Sequence, residues 1–524
     1  MIRTCFSFVR WDLRDPHNFK AAAEHRLGVD TQLLTQQQSP SNGLDRNPRM
    51  QQILARCADR LAAFLQRRCE MHGSRPVPLT KDGAAFVISQ LAKVQPRAKI
   101  VKLRKIAQEI PWDVIQGSGF KVVKRTSTSL FIKAEGYPGA NKPPRLICFP
   151  AEGEKLLMSM AFFHLMHPMF SSQFCTKEIP EHFRPRAIEN RLSGLPVKFV
   201  ADYTSFECVP NKQMMQLGEH RVYRQLLPPE YHFLLDVIES GGWLQANSGF
   251  SIKTPAVQYS GRYTTSLSNT IRNKLLMDSV AEFIGVGIDG YRGVFEGDDS
   301  LTTWPKGVTQ DQILSALGRL GVAAEMAQFE DLGKAGYCSM FWNENFELVC
   351  DPIKVLATFP FSTSAQAANV DNIPALCAAK AMSLAYRSPG CPIVSAIVRR
   401  YIAPTGIMET RNEYERKWFR QFSKLDSRHS RSASRRKSTF KIHFDRWDLV
   451  REPSANQRQL FWEIFGICPS DQQLAEKKIL SEDGFSQTLL LLLGEAGHKL
   501  GIDLDSLRVI HAEMTNRAMF FPRH

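Results

Sequence analysis

Tyr291-Arg292-Gly293-Val294-Phe295-Glu296-Gly297-Asp298-Asp299-Ser300-Leu301-Thr302-Thr303-Trp304 sets two short runs of β-type residues on either side of a Gly-Asp-Asp triplet. That pattern predicts a hairpin with Asp298 and Asp299 at its tip. Glycine and aspartate also form turns with no further role, so the triplet alone is a modest signal. Its weight depends on two other stretches. Val197-Lys198-Phe199-Val200-Ala201-Asp202 is an alternating apolar run that ends in an aspartate, and Tyr203-Thr204-Ser205-Phe206-Glu207 follows. This predicts a buried strand delivering Asp202 to its end, then a turn into a helix carrying Glu207; a helix-capping aspartate gives the same local pattern. Ser260-Gly261-Arg262-Tyr263-Thr264-Thr265-Ser266-Leu267-Ser268-Asn269 opens a helix that Leu267, Ile271, Leu275 and Val280 continue at helical spacing. Thr265 and Asn269, four apart, share one face of it.

Carboxylates gathered in one place repel, and a metal explains their coexistence. Phosphoryl transfer uses two divalent cations about 3.5–4 Å apart to hold the attacking and leaving oxygens. Magnesium takes hard oxygen ligands, which convergent aspartates on adjacent strands would supply. Asp202 and Asp298, with Asp299 beside them, suit that task. The hydroxyl of Thr265 and the amide of Asn269 suit a ribose better than a phosphate. Upstream, Leu130-Phe131-Ile132-Lys133 and Lys142-Pro143-Pro144-Arg145-Leu146-Ile147 flank a Gly/Pro loop and predict a basic hairpin. Arginine offers a planar fork to phosphate oxygens and lysine a point charge, although a solvated charged turn has the same composition.

The wider chain is consistent with a large enzyme acting on a polyanion. It has 524 residues, 43% hydrophobic and 23% charged, which excludes a low-complexity, collagen-like or small disulfide-scaffold protein. The 67 Lys and Arg exceed the 52 Asp and Glu, and the net charge of +15 favours nucleic acid over a membrane surface. Eleven cysteines without CxxC spacing predict reduced thiols rather than a zinc site. The N-terminus lacks the apolar core of a signal peptide, and no apolar run reaches the roughly 18 residues of a membrane span. Ile53, Leu54, Cys57, Leu61 and Leu65 predict a helix over 51–70. Residues 416–441 hold ten Lys/Arg and one acid, Asp426. A solvated loop, a nuclear-import signal or contact with RNA phosphates would each have that composition.

In this order the motifs resemble those of palm-type RNA-dependent RNA polymerases of positive-strand RNA viruses, most closely the tombusvirus-like and nodavirus-like groups. Lys133 to Arg145 resembles the finger motif that guides the triphosphate. Asp202–Glu207, Ser260–Asn269 and Gly297-Asp298-Asp299 resemble the first, second and third palm motifs. Gly336-Tyr337-Cys338-Ser339 resembles the turn beside the primer grip. The resemblance implies that Asp202, Asp298 and Asp299 are catalytic and bind Mg²⁺, with Mn²⁺ as a substitute. It implies nucleotide contacts from Lys133, Lys142, Arg145, Glu207, Ser260, Gly261, Thr265 and Asn269. The family usually has aspartate where Glu207 stands. Lys334 is the nearest candidate for a general acid, and Arg428, Arg431, Arg435, Arg436 and Lys437 are candidates for RNA contact.

The expected fold is α+β, a right hand of fingers, palm and thumb with an antiparallel palm sheet backed by helices. Residues 1–195 would form the N-terminal extension and fingers, including the hairpin 130–150. The palm would take 196–211 and 256–362, with 212–255 inserted as fingers, and 363–524 would form the thumb and C-terminal region. The expected activity is template-directed RNA synthesis from ribonucleoside triphosphates, releasing pyrophosphate and replicating a viral genome, with primer-independent initiation implied by the resemblance alone. Expected partners are template and product RNA and a membrane-anchoring viral or host protein, in the host cytoplasm at membrane-associated replication complexes. Two rival classes are a catalytically silent RNA-binding protein and a reverse transcriptase. Intact Asp202, Asp298 and Asp299 argue against the first. Phe295 stands one place too early for the aromatic-x-Asp-Asp of the second.

Overall fold

Phe199, Ala201 and Tyr203 are buried along strand β3 (Val197–Tyr203), and Asp202 is exposed between two buried neighbours. This alternation is that of a strand with one face in a core. The computed structural model describes residues 8–9, 20–23, 43–93, 95, 97–124, 128–132, 137–138, 145–203, 206, 211–246, 250–359, 373–402, 407–410, 440–443 and 446–481. Within them β3 is one of two central strands in an antiparallel sheet of order β8-β3-β7-β6. The other strands are β6 (Arg292–Glu296), β7 (Asp299–Trp304) and β8 (Ala324–Phe329). Ala201 pairs with Ser300, Glu296 with Asp299, and Asp202 with Glu325. The end of β3 therefore lies against the tip of the β6–β7 hairpin. Phe295 N donates to Phe174 O at 2.8 Å, so the chain near Phe174 covers the free edge of β6.

Helices cover one face of this sheet. Helix α1 (Pro48–Met71) starts with Asn47, whose side chain accepts from Met50 N at 3.1 Å, and with proline at the first position. It buries Ile53, Leu54, Cys57, Leu61 and Leu65, the residues whose spacing predicts it. With α2 (Glu152–Phe170), α4 (Thr265–Phe283) and α5 (Gln310–Arg319), α1 shares a core that reaches Phe199, Tyr203, Phe295 and Trp304 of the sheet. A second cluster, including Ile188, Leu192, Val294, Leu301, Tyr337 and Trp342, covers the other face.

A separate mixed sheet has the order β2-β1-β4-β5. Strands β1 (Thr128–Ile132) and β2 (Leu146–Phe149) pair antiparallel, with Ile132 opposite Leu146. Strand β4 (Gly242–Ala246) joins β1 in parallel, and β5 (Ser251–Thr254) pairs with β4. The helices at 373–387, 394–401, 455–465 and 469–480 share a further core containing Leu356, Met382, Ile397, Phe461 and Ile479. The protein is thus α+β with a four-stranded antiparallel sheet at its centre. Among the described residues no helix is long and apolar enough to cross a membrane, and all nine described cysteines are free thiols.

Inside this fold α4 is tied to α3 (Glu219–Leu226) by a buried ion pair. Arg272 and Glu219 are each 1% exposed, and Arg272 Nε also donates to Glu219 Oε1 at 3.1 Å. Removing one partner of such a pair leaves an uncompensated buried charge, at a cost of about 3–5 kcal/mol. Arg272→Met should therefore lower stability in urea unfolding by about that amount. Arg272→Met combined with Glu219→Leu should recover most of it, because no charge is then stranded.

Candidate active site

The Gly-Asp-Asp turn is held from behind by α4. Gly297 has φ +69°, a left-handed conformation that glycine adopts without strain, which closes the hairpin tightly. Its backbone N–H donates to Thr270 Oγ1 at 2.9 Å, and the same hydroxyl donates to Ser266 O at 2.8 Å. Asn273, fully buried, directs Nδ2 to three consecutive carbonyls: Asp298 O at 2.9 Å, and Gly297 O and Asp299 O at 3.3 Å each. Asn273 Oδ1 accepts from the Tyr203 hydroxyl at 2.9 Å. One amide thus ties the hairpin tip to the residue after Asp202. Neither Thr270 nor Asn273 is picked out by the catalytic motifs. The available signal was that Ser268, Asn269, Thr270, Arg272 and Asn273 are polar although the helix is buried nearly all round.

The acids are crowded. The carboxyl of Asp299 is pushed up to about 6, first by desolvation and then by the negative charge of Asp298, with smaller contributions from Glu296 and Asp202; the Cys338 thiol acts the other way. Glu296, which the sequence motifs do not single out, belongs to the same group. It is steadied by Arg184 at 3.1 Å and by the Thr176 hydroxyl at 2.8 Å. Thr176 also bonds the Tyr337 hydroxyl at 2.9 Å, tying Glu296 to the Gly336–Ser339 turn. Cys338 and Ser339 in that turn have φ +51° and +58°, strained for residues with a β-carbon. Among the described residues no three acidic, His or Cys side chains already stand as a ligand set. An excess of hard oxygen anions around one hairpin tip is still the donor chemistry that a divalent cation takes.

Ser260 and Gly261 lie against the basic hairpin. Ser260 Oγ donates to Leu146 O at 2.9 Å, and Gly261 N to Cys148 O at 3.0 Å. A β-carbon on Gly261 would sit 2.5 Å from Cys148 O, so only glycine permits this approach. The contact brings exposed Arg145, which leads into β2, beside the start of α4. Thr265 turns its hydroxyl inward, to Tyr259 O at 2.7 Å and Arg262 O at 2.8 Å, as a residue closing the first turn of a helix does. Asn269 Oδ1 accepts from Arg272 Nη1 at 3.1 Å. Arginine only donates, so this contact fixes the amide and leaves Nδ2 as its outward donor. Lys334 is ion-paired with Glu463 at 2.9 Å, away from the acidic group. Lys133, Lys142, Glu207, Arg428, Arg431, Arg435, Arg436 and Lys437 lie outside the described residues.

A carboxyl group held at about 6 against an ordinary 3.8 opposes folding once it ionises. The cost is absent below both values and full above the higher one. With divalent cations removed, Asp299→Asn should melt at a higher temperature than wild type above about pH 6, and the difference should vanish below about pH 3.8. Melting curves across that range check it.

Residues 189–337 match the sequence model of the family described as viral RNA-directed RNA polymerase. The matched segment contains Asp202, the Ser260–Asn269 stretch, both aspartates of the hairpin and the turn up to Tyr337. No curated protein matches the chain. A family match placed over this clamped acidic hairpin supports RNA-directed RNA polymerase activity.

Proposed function

We propose that the polymerase works by two-metal nucleotidyl transfer in a right-handed arrangement, with the β8-β3-β7-β6 sheet as palm. The observation that carries this reading is the convergence of Asp202, Asp298 and Asp299 where β3 meets the β6–β7 hairpin. Asp202 and Asp298 would hold the cations, with Asp299 assisting, and Mg²⁺ is the ion their hard oxygens suit, with Mn²⁺ as substitute. Bound there, the ions supply charge neutralisation to the attacking 3′-oxygen and the departing pyrophosphate.

The chain's own side chains do the positioning. Asn269, pinned by Arg272, offers its Nδ2–H to the oxygen of a ribose 2′-hydroxyl. Glu207 would help orient that hydroxyl. Ser260 and Gly261 seat the basic hairpin so that Arg145, with Lys133 and Lys142, meets the incoming triphosphate. Lys334 has to leave Glu463 before it can serve as a proton donor.

The fingers would combine the N-terminal region with the insert 212–255. Strand β4 pairing onto β1 across the first palm motif, with β5 paired to β4, favours that division. The helical core after residue 349 would be the thumb. The segment 416–441, with Arg428, Arg431, Arg435, Arg436 and Lys437, would contact RNA phosphates without sequence preference. The order and spacing of the motifs favour a tombusvirus-like or nodavirus-like origin, with replication at membranes in the host cytoplasm.

The test is incorporation of labelled ribonucleotides on a single-stranded RNA template without primer, with Mg²⁺ or Mn²⁺ present. Wild type should give metal-dependent product, and Asp298→Ala should fall by at least a hundredfold, a loss of about 2.7 kcal/mol or more in barrier lowering. Equal product from both proteins would remove Asp298 from the mechanism.

A further inference from the structure

At the end of β6 opposite Gly297, a cavity of about 520 Å³ opens between α1, α4 and the start of the strand. That volume falls in the range of small-molecule sites, roughly 300–1,000 Å³. Its charges do not cancel. Lys274 is paired with Asp278 at 2.5 Å, and Arg60 with Asp289 at 3.2 Å. That leaves Arg67, Arg191 and Arg292 in the lining, none of which has a carboxylate partner among the described residues. Arg191 Nη1 donates to Cys175 O at 2.8 Å, and Arg292 Nη1 to Ser193 O. Both acceptors are neutral, so most donors of the two guanidinium groups remain for a ligand. Arg191 is half-buried, and its desolvation disfavours the charged form. An anion at this position would offset that cost. The remaining wall includes the apolar side chains of Phe64, Phe174 and Ile288.

We propose that this cavity is a second nucleotide site, which takes a nucleoside triphosphate with its phosphates on Arg67, Arg191 and Arg292 and its base against Phe64, Phe174 and Ile288. Three arginines without counter-charge provide planar forks for phosphate oxygens, and an adjoining apolar wall suits an aromatic base. The site is separate from the catalytic one. Arg292 and Glu296 stand at opposite ends of β6, roughly 13 Å apart at strand rise. It is nonetheless attached to the same supports. Lys274 follows Asn273 on α4, and β6 leads directly into Gly297, so an occupant bears on both elements that hold the Gly-Asp-Asp turn.

Calorimetric titration of the full chain with ATP, in chelator and without divalent cations or RNA, tests the site separately from the two-metal reading. Wild type and Asp298→Ala should bind alike, and inorganic triphosphate should compete. Arg67→Glu, and Arg67→Glu combined with Arg292→Glu, should weaken binding at least tenfold while the melting temperature stays that of wild type. Both residues are exposed, so these variants keep their fold. Absence of ATP binding to wild type would overturn the proposal. So would binding that Asp298→Ala abolishes and the arginine variants leave intact, because the nucleotide would then sit at the carboxylates.

Discussion

One buried amide fixes the geometry of the acidic hairpin. Like charges at a hairpin tip repel, and a two-residue turn has few contacts of its own with which to resist. Asn273 supplies the resistance from behind: its nitrogen bonds the carbonyls of Gly297, Asp298 and Asp299, and its oxygen is bonded by Tyr203. The carbonyls are the right handle, because they fix the backbone and leave the carboxylates of Asp298 and Asp299 to face outward. Burial makes the arrangement stringent, since an amide removed from water has to find its partners within the protein. Helix α4 thus serves two regions along its length. Its first turns carry Thr265 and Asn269, and its next turn holds the acidic hairpin through Thr270 and Asn273.

Around this centre the fold separates groups that must stay charged from those that must stay fixed. Arg272 is committed to Glu219 and Asn269, and Arg184 to Glu296. Each is a cation placed next to the site to set the orientation of a neighbour. The carboxylates at the tip are crowded, and the proton affinity of Asp299 is raised first by desolvation and then by the charge of Asp298. A cation bound there would offset the repulsion between the acids. A site built this way is less stable empty than occupied, which is common where binding energy is used for chemistry.

Much of this was legible in the sequence because it is local. The spacing of Ile53, Leu54, Cys57, Leu61 and Leu65 gives α1, and the alternation from Val197 to Asp202 gives a strand with an acid at its end. The hairpin follows from β-type residues around Gly-Asp-Asp, and its antiparallel neighbours from the way such hairpins pair. What was not legible depends on partners distant in sequence. Nothing at Arg272 announces Glu219, and nothing at Glu296 announces Arg184 or Thr176. Thr265 shows a different limit. Its spacing to Asn269 puts both on one helix face, but its position at the helix start turns its hydroxyl to the loop carbonyls of Tyr259 and Arg262. Spacing identifies a face, and the local hydrogen-bonding demand decides what the side chain does there.

The central claim is that α4 holds Asp202 and Asp298 where two cations can bridge them. Anomalous scattering from a crystal soaked in Mn²⁺ tests it most directly. The account predicts two peaks about 3.5–4 Å apart, both within ligand distance of Asp202 and Asp298. It further predicts that Asn273→Leu loses at least one of them, although every carboxylate is still present. Two undisturbed peaks in that variant, or manganese bound only elsewhere in wild type, would contradict it.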